Sequence, residues 1–212
     1  MDKPRLFGAD YSVYVRSARL ALHEKGVDHD LISVDVFPPS GPSPEHLVRH
    51  PFGKIPVFEH DGFRLYETGA ITRYIDEAFA GPALQPSDPQ PRARMNQVIS
   101  IADGYLYPHL VWGLYVELVS KAEGGELPDT ARLERARELA PVCLKALSDI
   151  VGSKAWFAGE SLSLADLHVA PMIDYLLKVP EGRDMFAEHS GLVRWWERMT
   201  TRDSFRQTLP TI

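Results

Sequence analysis

With 212 residues, 44% hydrophobic and 25% charged, the chain has an ordinary globular composition, which excludes general disorder and allows one large domain or two small ones. The formal net charge of -6 is shared evenly: residues 1–80 hold 9 basic and 12 acidic side chains, residues 81–212 hold 14 and 17. Neither part has the basic excess that nucleic acid rewards. One cysteine, Cys143, excludes an internal disulfide and an all-cysteine metal site. No run approaches the ~18 apolar residues of a membrane span, and no apolar signal core follows Met1, so no membrane partner and a cytoplasmic location are expected.

In chain order, Arg5-Leu6-Phe7-Gly8 predicts a short strand, and a helix is expected from Ser12 to Lys25, stopped by Gly26. Residues 31–36 alternate, with Ile32, Val34 and Val36 on one face, which predicts a strand. A loop rich in Pro and Gly runs from Phe37 to Pro44, followed by a short helix from Pro44 to Arg49. Ile55–Glu59 and Phe63–Tyr66 flank His60-Asp61-Gly62, a hairpin signal. Ile71, Tyr74, Ile75, Ala78 and Phe79 then mark one face of a helix. The order β-α-β-(α)-β-β-α is a thioredoxin-like arrangement over residues 1–80.

Residues 81–91 contain four prolines and read as a linker. Residues 92–212 are helical in pattern, so the fold class is α/β plus all-α. Met95, Val98, Ile99 and Ala102 open one long helix, expected to bend at Pro108. Leu133, Ala136, Ala140, Cys143, Leu144 and Leu147 mark a second, with a kink expected at Pro141, and residues 163–177 and 191–200 supply two more.

Three stretches carry chemistry. In Tyr11-Ser12-Val13-Tyr14-Val15-Arg16, a hydroxyl stands beside a helix N-terminus, where free N–H groups favour an anion; Ser12 acting only as a helix cap explains the same pattern. In Gly53-Lys54-Ile55-Pro56-Val57, a proline opens a strand without an N–H to donate. If the Ile55–Pro56 bond is cis, the edge can take an extended peptide; a plain trans proline is the alternative. In Tyr66-Glu67-Thr68-Gly69, Thr68 falls at an N-cap position, and Glu67 with it suits an ammonium-and-carboxylate ligand end. His46 and His50 are spaced i, i+4 but lack a third ligand, so no metal is expected.

These stretches, with Arg16, His23-Glu24-Lys25-Gly26, Ser43-Pro44-Glu45-His46-Leu47, Pro51-Phe52-Gly53 and Phe157 to His168, resemble the glutathione S-transferases of the phi type along nearly the whole chain. Ser163 with Asp166 in the last of them is a capping box. The resemblance implies an enzyme that conjugates glutathione, as co-substrate and with no permanently bound cofactor, to hydrophobic electrophiles, and that works as a homodimer. It implies Ser12 as the hydroxyl donor to the glutathione sulfur, with Tyr11 as the alternative. Glutathione is expected along Lys54, Ile55 and Pro56, its glutamyl end at Glu67 and Thr68, and the electrophile against Tyr11, Phe37, Tyr107, Trp112 and Tyr115. Tyr105 and His109 stand in the same stretch, and Asp103 is a further candidate for the glutamyl ammonium. Gly41 and Pro42 replace the family's His-Lys pair for the glycine carboxylate, leaving Lys54 and His46 as candidate substitutes. The other functions considered are a glutathione-dependent peroxidase and a non-catalytic ligand- or partner-binding member.

Overall fold

The computed structural model describes residues 2–38 and 40–211; Pro39, in the loop expected from Phe37 to Pro44, lies outside the described residues. The chain divides into two compact units. One runs to Leu84 and takes in the segment from Arg202, and the other is Gln85–Thr201. The all-helical domain expected over 92–212 therefore gives up its last segment to the first unit.

The first unit contains β1 (Arg5–Phe7), α1 (Val13–Glu24), β2 (Asp30–Ile32), α2 (Pro44–Arg49), β3 (Val57–His60), β4 (Phe63–Tyr66), α3 (Thr68–Ala78) and, from the far end of the chain, α10 (Asp203–Gln207). Among the described residues the strands form one sheet in the order β2-β1-β3-β4, with β1 parallel to β2 and antiparallel to β3. The hairpin between β3 and β4 turns at Asp61 (φ 48°) and Gly62 (φ 79°), the two positive dihedrals that a tight two-residue turn demands. Val15, Ala18 and Leu22 recur on one face of α1, and Ile71 and Ile75 on one face of α3; all are fully buried, and the two helices pack together over the core that includes Leu6 and Phe58.

Two strands differ from expectation. The one predicted over 31–36 begins at Asp30 and stops at Ile32, opposite Phe7, where its partner β1 also ends. The one predicted over Ile55–Glu59 begins at Val57, after a proline that has no N–H to give the ladder.

The second unit starts earlier than expected. Helix α4 (Pro89–Ile101) places Pro89 and Pro91 in its first turn, where backbone N–H groups have no intrahelical partner anyway, and the Asp88 carboxylate caps it through Gln90 N–H at 2.8 Å. The connecting segment thus ends at Asp88, not Pro91. Helix α4 continues into a π-helical stretch (Ala102–Ser120) and a last turn, α5 (Lys121–Glu123); Lys121 N–H reaches back five residues to Val116 O. Pro108, where a bend was expected, lies inside this widened stretch. Such turns are rare and are usually brief. Gly113 lets the stretch approach α6 (Thr130–Val151) closely, since a Cβ there would stand 2.4 Å from the Ala136 Cβ. The predicted stripe from Leu133 to Leu147 is buried on α6, which runs through Pro141 as one helix. Burial pushes the Cys143 thiol up to about 11, so it holds its proton at neutral pH.

Helices α7 (Leu164–Leu176), α8 (Pro180–Ala187) and α9 (Ser190–Thr200) complete the unit. At the start of α7 the fully buried Asp166 accepts from Phe157 N–H (3.0 Å), Ser163 N–H (2.9 Å), Ser163 Oγ (2.8 Å) and Trp195 Nε1 (2.9 Å). The predicted capping box is thereby tied to a distant helix. Among the described residues no helix is long and apolar enough to cross a membrane.

Candidate functional site

The sheet register brings the three chemical stretches to one end of the first unit. Phe7, Val57 and Tyr66 form the last paired row across β1, β3 and β4. Beyond it, β1 leads into Gly8–Ser12, β3 is preceded by Ile55 and Pro56, and β4 leads into Glu67 and Thr68. Both α1 and α3 begin here, so two sets of unpaired helix N–H groups face the same end. Gly8 makes the closeness possible. A Cβ on it would lie 2.4 Å from Val15 Cγ2 and 3.4 Å from Ile55 Cβ.

Ser12 is half-buried at the N-cap of α1, with extended backbone (φ −68°, ψ 126°), and its Oγ accepts from Val15 N–H at 3.4 Å. A hydroxyl has two acceptor sites and one proton, so this cap leaves the proton available to donate. Capping and donation are therefore compatible. Tyr11 is 42% exposed. Burial, then Asp35 and Asp10, push its phenol up, which marks surroundings hostile to negative charge on the phenol.

The Ile55–Pro56 bond is cis. Pro56 is buried, Ile55 half-buried and Lys54 exposed. His46, offered above as a substitute for the missing basic pair, is only 1% exposed, and its Nε2 sits 2.7 Å from the Lys54 carbonyl. It holds this loop in place and is not presented to a ligand. His50, its i, i+4 neighbour, is likewise buried, with its ring 4.7 Å from that of Tyr66. Gly53 turns the chain with φ +62°, and a Cβ on it would meet Pro42 Cγ at 2.9 Å. Gly53→Ala is expected to lose about 1–3 kcal/mol of stability, read by denaturant unfolding.

Glu67 departs from the sequence expectation in an informative way. It, not Thr68, is the N-cap of α3; its side chain makes no capping bond, and its backbone has φ 69° and ψ 113°. Thr68 is the first helical residue and is buried. A left-handed dihedral on a non-glycine residue costs on the order of 1–3 kcal/mol and is retained where the surroundings hold it. The strain places an exposed carboxylate at the mouth of α3.

The aromatic side chains fall into separate groups. Phe37 is well exposed in the first unit. In the second, Tyr107 and Trp112 meet edge to face at 6.4 Å and, with Pro108, His109, Arg132 and Arg135, line an open cavity of about 510 Å³. Tyr115 is not part of that lining. It packs on Tyr175 at 4.4 Å, with the Lys178 amino group over both rings. The predicted wall of Tyr107, Trp112 and Tyr115 is thus two clusters, and Tyr175 with Lys178, spaced i, i+3, carries no distinct signal in the sequence because the apolar run around them reads as core. Asp103 is engaged by the buried His168, whose Nε2 lies 2.7 Å from its Oδ1.

These features define a protein with a thioredoxin-like first unit and an all-helical second unit. The family model "Glutathione S-transferase, N-terminal domain" matches residues 6–83, and "Glutathione S-transferase, C-terminal domain" matches residues 106–203. Glutathione S-transferase F14 of Arabidopsis thaliana is 31% identical over 198 residues, covering 91% of this chain and 78% of the relative. The solved structure of glutathione transferase F7 from Populus trichocarpa superposes with a TM-score of 0.86 at 28% identity, covering 97% of each chain. A glutathione S-transferase of Methylobacillus flagellatus, solved with glutathione bound, gives 0.81 at 28%, covering 98% of this chain and all of that one. The chain belongs to the glutathione S-transferase family, and its relatives are of the phi class.

Proposed function

We propose that this protein conjugates glutathione to electrophilic small molecules, with Ser12 as the residue that keeps the sulfur ionised. A free thiol has a pKa of roughly 8.5, so little thiolate exists at neutral pH. Lowering it by about two units needs roughly 2.7 kcal/mol of selective stabilisation. A hydroxyl hydrogen bond to an anion, added to a helix N-terminus, is of that size. The sulfur then attacks an electrophilic carbon and a C–S bond forms. The leaving group departs with its electron pair, or in a conjugate addition the adjacent carbon takes up a proton. Ser12 donates a hydrogen bond throughout and is never a nucleophile.

The observation that carries this reading is the Ser12 hydroxyl at the mouth of α1, its proton unspent, at the sheet end where Ile55 and Glu67 also emerge. The main chain of Ile55, just beyond the last ladder row, serves the cysteinyl backbone of glutathione, with Pro56 shaping that edge. Glu67 takes the glutamyl ammonium and the Thr68 turn takes its carboxylate. Lys54, with its side chain exposed, serves the glycine carboxylate in place of the pair replaced by Gly41 and Pro42. Tyr11 and Phe37 of the first unit, and Tyr107, Trp112 and Tyr115 of the second, are the aromatic surfaces offered to apolar electrophiles. The role is detoxification in the cytoplasm as a homodimer, for which the exposed Val48 and Phe52 provide apolar surface.

Glu67 gives a test with opposite signs. Glu67→Gly relieves the positive dihedral, so melting temperature should hold or rise, while loss of the charge-assisted bond should raise KM for glutathione about tenfold or more. An unchanged KM would remove Glu67 from the site. A panel of electrophiles with one hydroperoxide separates conjugation from peroxidase activity.

A further inference from the structure

The carboxy-terminal segment is fastened along α1 by bonds that advance in antiparallel order. At the carboxyl end of the helix, Glu24 accepts from Arg202 Nε at 2.7 Å and from the Ser204 hydroxyl. One turn nearer the amino end, Arg19 Nη2 donates to Gln207 O at 2.9 Å. Next, Arg16 Nε donates to Thr208 O at 3.1 Å, its guanidinium 5.5 Å from the Phe205 ring. Finally Thr211 N–H donates to Asp10 Oδ2 at 2.9 Å, two residues before Ser12.

Sequence distance makes this arrangement notable. Arg16 is completely buried, a position that a charged side chain rarely takes without strong local bonding. Asp10 is itself a residue of the Gly8–Ser12 turn, so its carboxylate joins the tail directly to the segment that carries Ser12. The Thr211 backbone bond is the main reason that this carboxyl sits below its ordinary value, against burial, which pushes it up. On its other side the same turn is held by β2 and the residues after it, through Gly8 N–H to Ile32 O (2.9 Å) and Val34 N–H to Gly8 O (3.4 Å). The turn is therefore clamped from two directions, one of them supplied by the last residues of the chain.

We propose that this strap positions the Ser12 hydroxyl, with Asp10 as the positioning residue that transmits the tail's hold on the turn. The inference rests on the proposed role of Ser12. With the strap in place, the hydroxyl points where the sulfur sits; without its last anchor, the turn relaxes and the hydrogen bond to the thiolate lengthens. The effect falls on the ionisation of bound glutathione and not on its binding, because Ile55 and Glu67 lie on other segments.

The experiment compares the unaltered chain with one stopped after Leu209, with Asp10→Ala, and with both changes together, each saturated with glutathione. The absorbance of bound thiolate is titrated against pH beside the conjugation rate. Either single change should raise the thiolate pKa by about 0.7, a loss of roughly fivefold in thiolate-limited rate below that pKa. KM for glutathione should move less than about twofold, and the double variant should show no further loss, since both changes break one contact. Asp10→Asn, which keeps an acceptor oxygen, should recover most of the rate. Wild-type thiolate pKa in the shortened chain, or additive losses in the double variant, would overturn the strap. Absence of bound thiolate in the unaltered chain would instead sink the role of Ser12 itself.

Discussion

Ser12→Ala is expected to lower the rate of conjugation at saturating glutathione about 30-fold at pH below the wild-type thiolate pKa, while KM for glutathione stays within about threefold. The size follows from the roughly 2.7 kcal/mol needed to bring a thiol from about 8.5 to neutral ionisation, most of which the hydroxyl supplies. KM is spared because the contacts assigned to Ile55, Glu67 and Thr68 do not involve the sulfur. Alanine also removes the Ser12 to Val15 cap, but that bond is long at 3.4 Å and its loss costs at most about 1 kcal/mol of stability. A fall in rate without a matching fall in melting temperature separates the two roles. Ser12→Thr, which keeps a hydroxyl and the cap, should retain much of the activity. Tyr11→Phe is the control: if it is the slower enzyme, the donor is the phenol.

Asp166→Ala carries the largest expected loss of stability, about 3–5 kcal/mol, enough to leave the helical unit unfolded near body temperature. The carboxylate is fully buried and satisfies four donors, among them two backbone N–H groups and the indole of Trp195. Removing it strands all four where no water reaches. Asp166→Asn keeps one acceptor oxygen but sets an amide NH₂ against the remaining donors, so it should fall between wild type and alanine. Urea unfolding followed by Trp fluorescence reads the difference, and the protein should be better rescued by low temperature than by glutathione, which is proposed to bind the other unit.

Local signals account for what the sequence makes legible. Caps, hairpin turns and helical stripes depend on residues within one or two turns of each other, and so Ser12, Asp61-Gly62, the α6 stripe and the Ser163–Asp166 box all lie where the pattern puts them. Proline misleads at the linker, where Pro89 and Pro91 begin a helix because its first turn needs no N–H from them. The site residues are legible as types, but their meeting at one sheet end follows from the pairing of Phe7 with Val57 and of Val57 with Tyr66, which no local pattern fixes. The same holds for the tail. Nothing about Thr208 or Thr211 in isolation points to Arg16 and Asp10, 192 and 201 residues earlier. The positive dihedral at Glu67 is also silent in the sequence, since glutamate has no preference for it.

The most direct test of the account is a pH titration of the ultraviolet absorbance of glutathione bound to wild-type protein and to Ser12→Ala. The wild-type complex should ionise with an apparent pKa of about 6.5 and the variant with one above about 8. Equal values in the two proteins would mean that the hydroxyl of Ser12 does not hold the charge, and the proposed chemistry would fall with it.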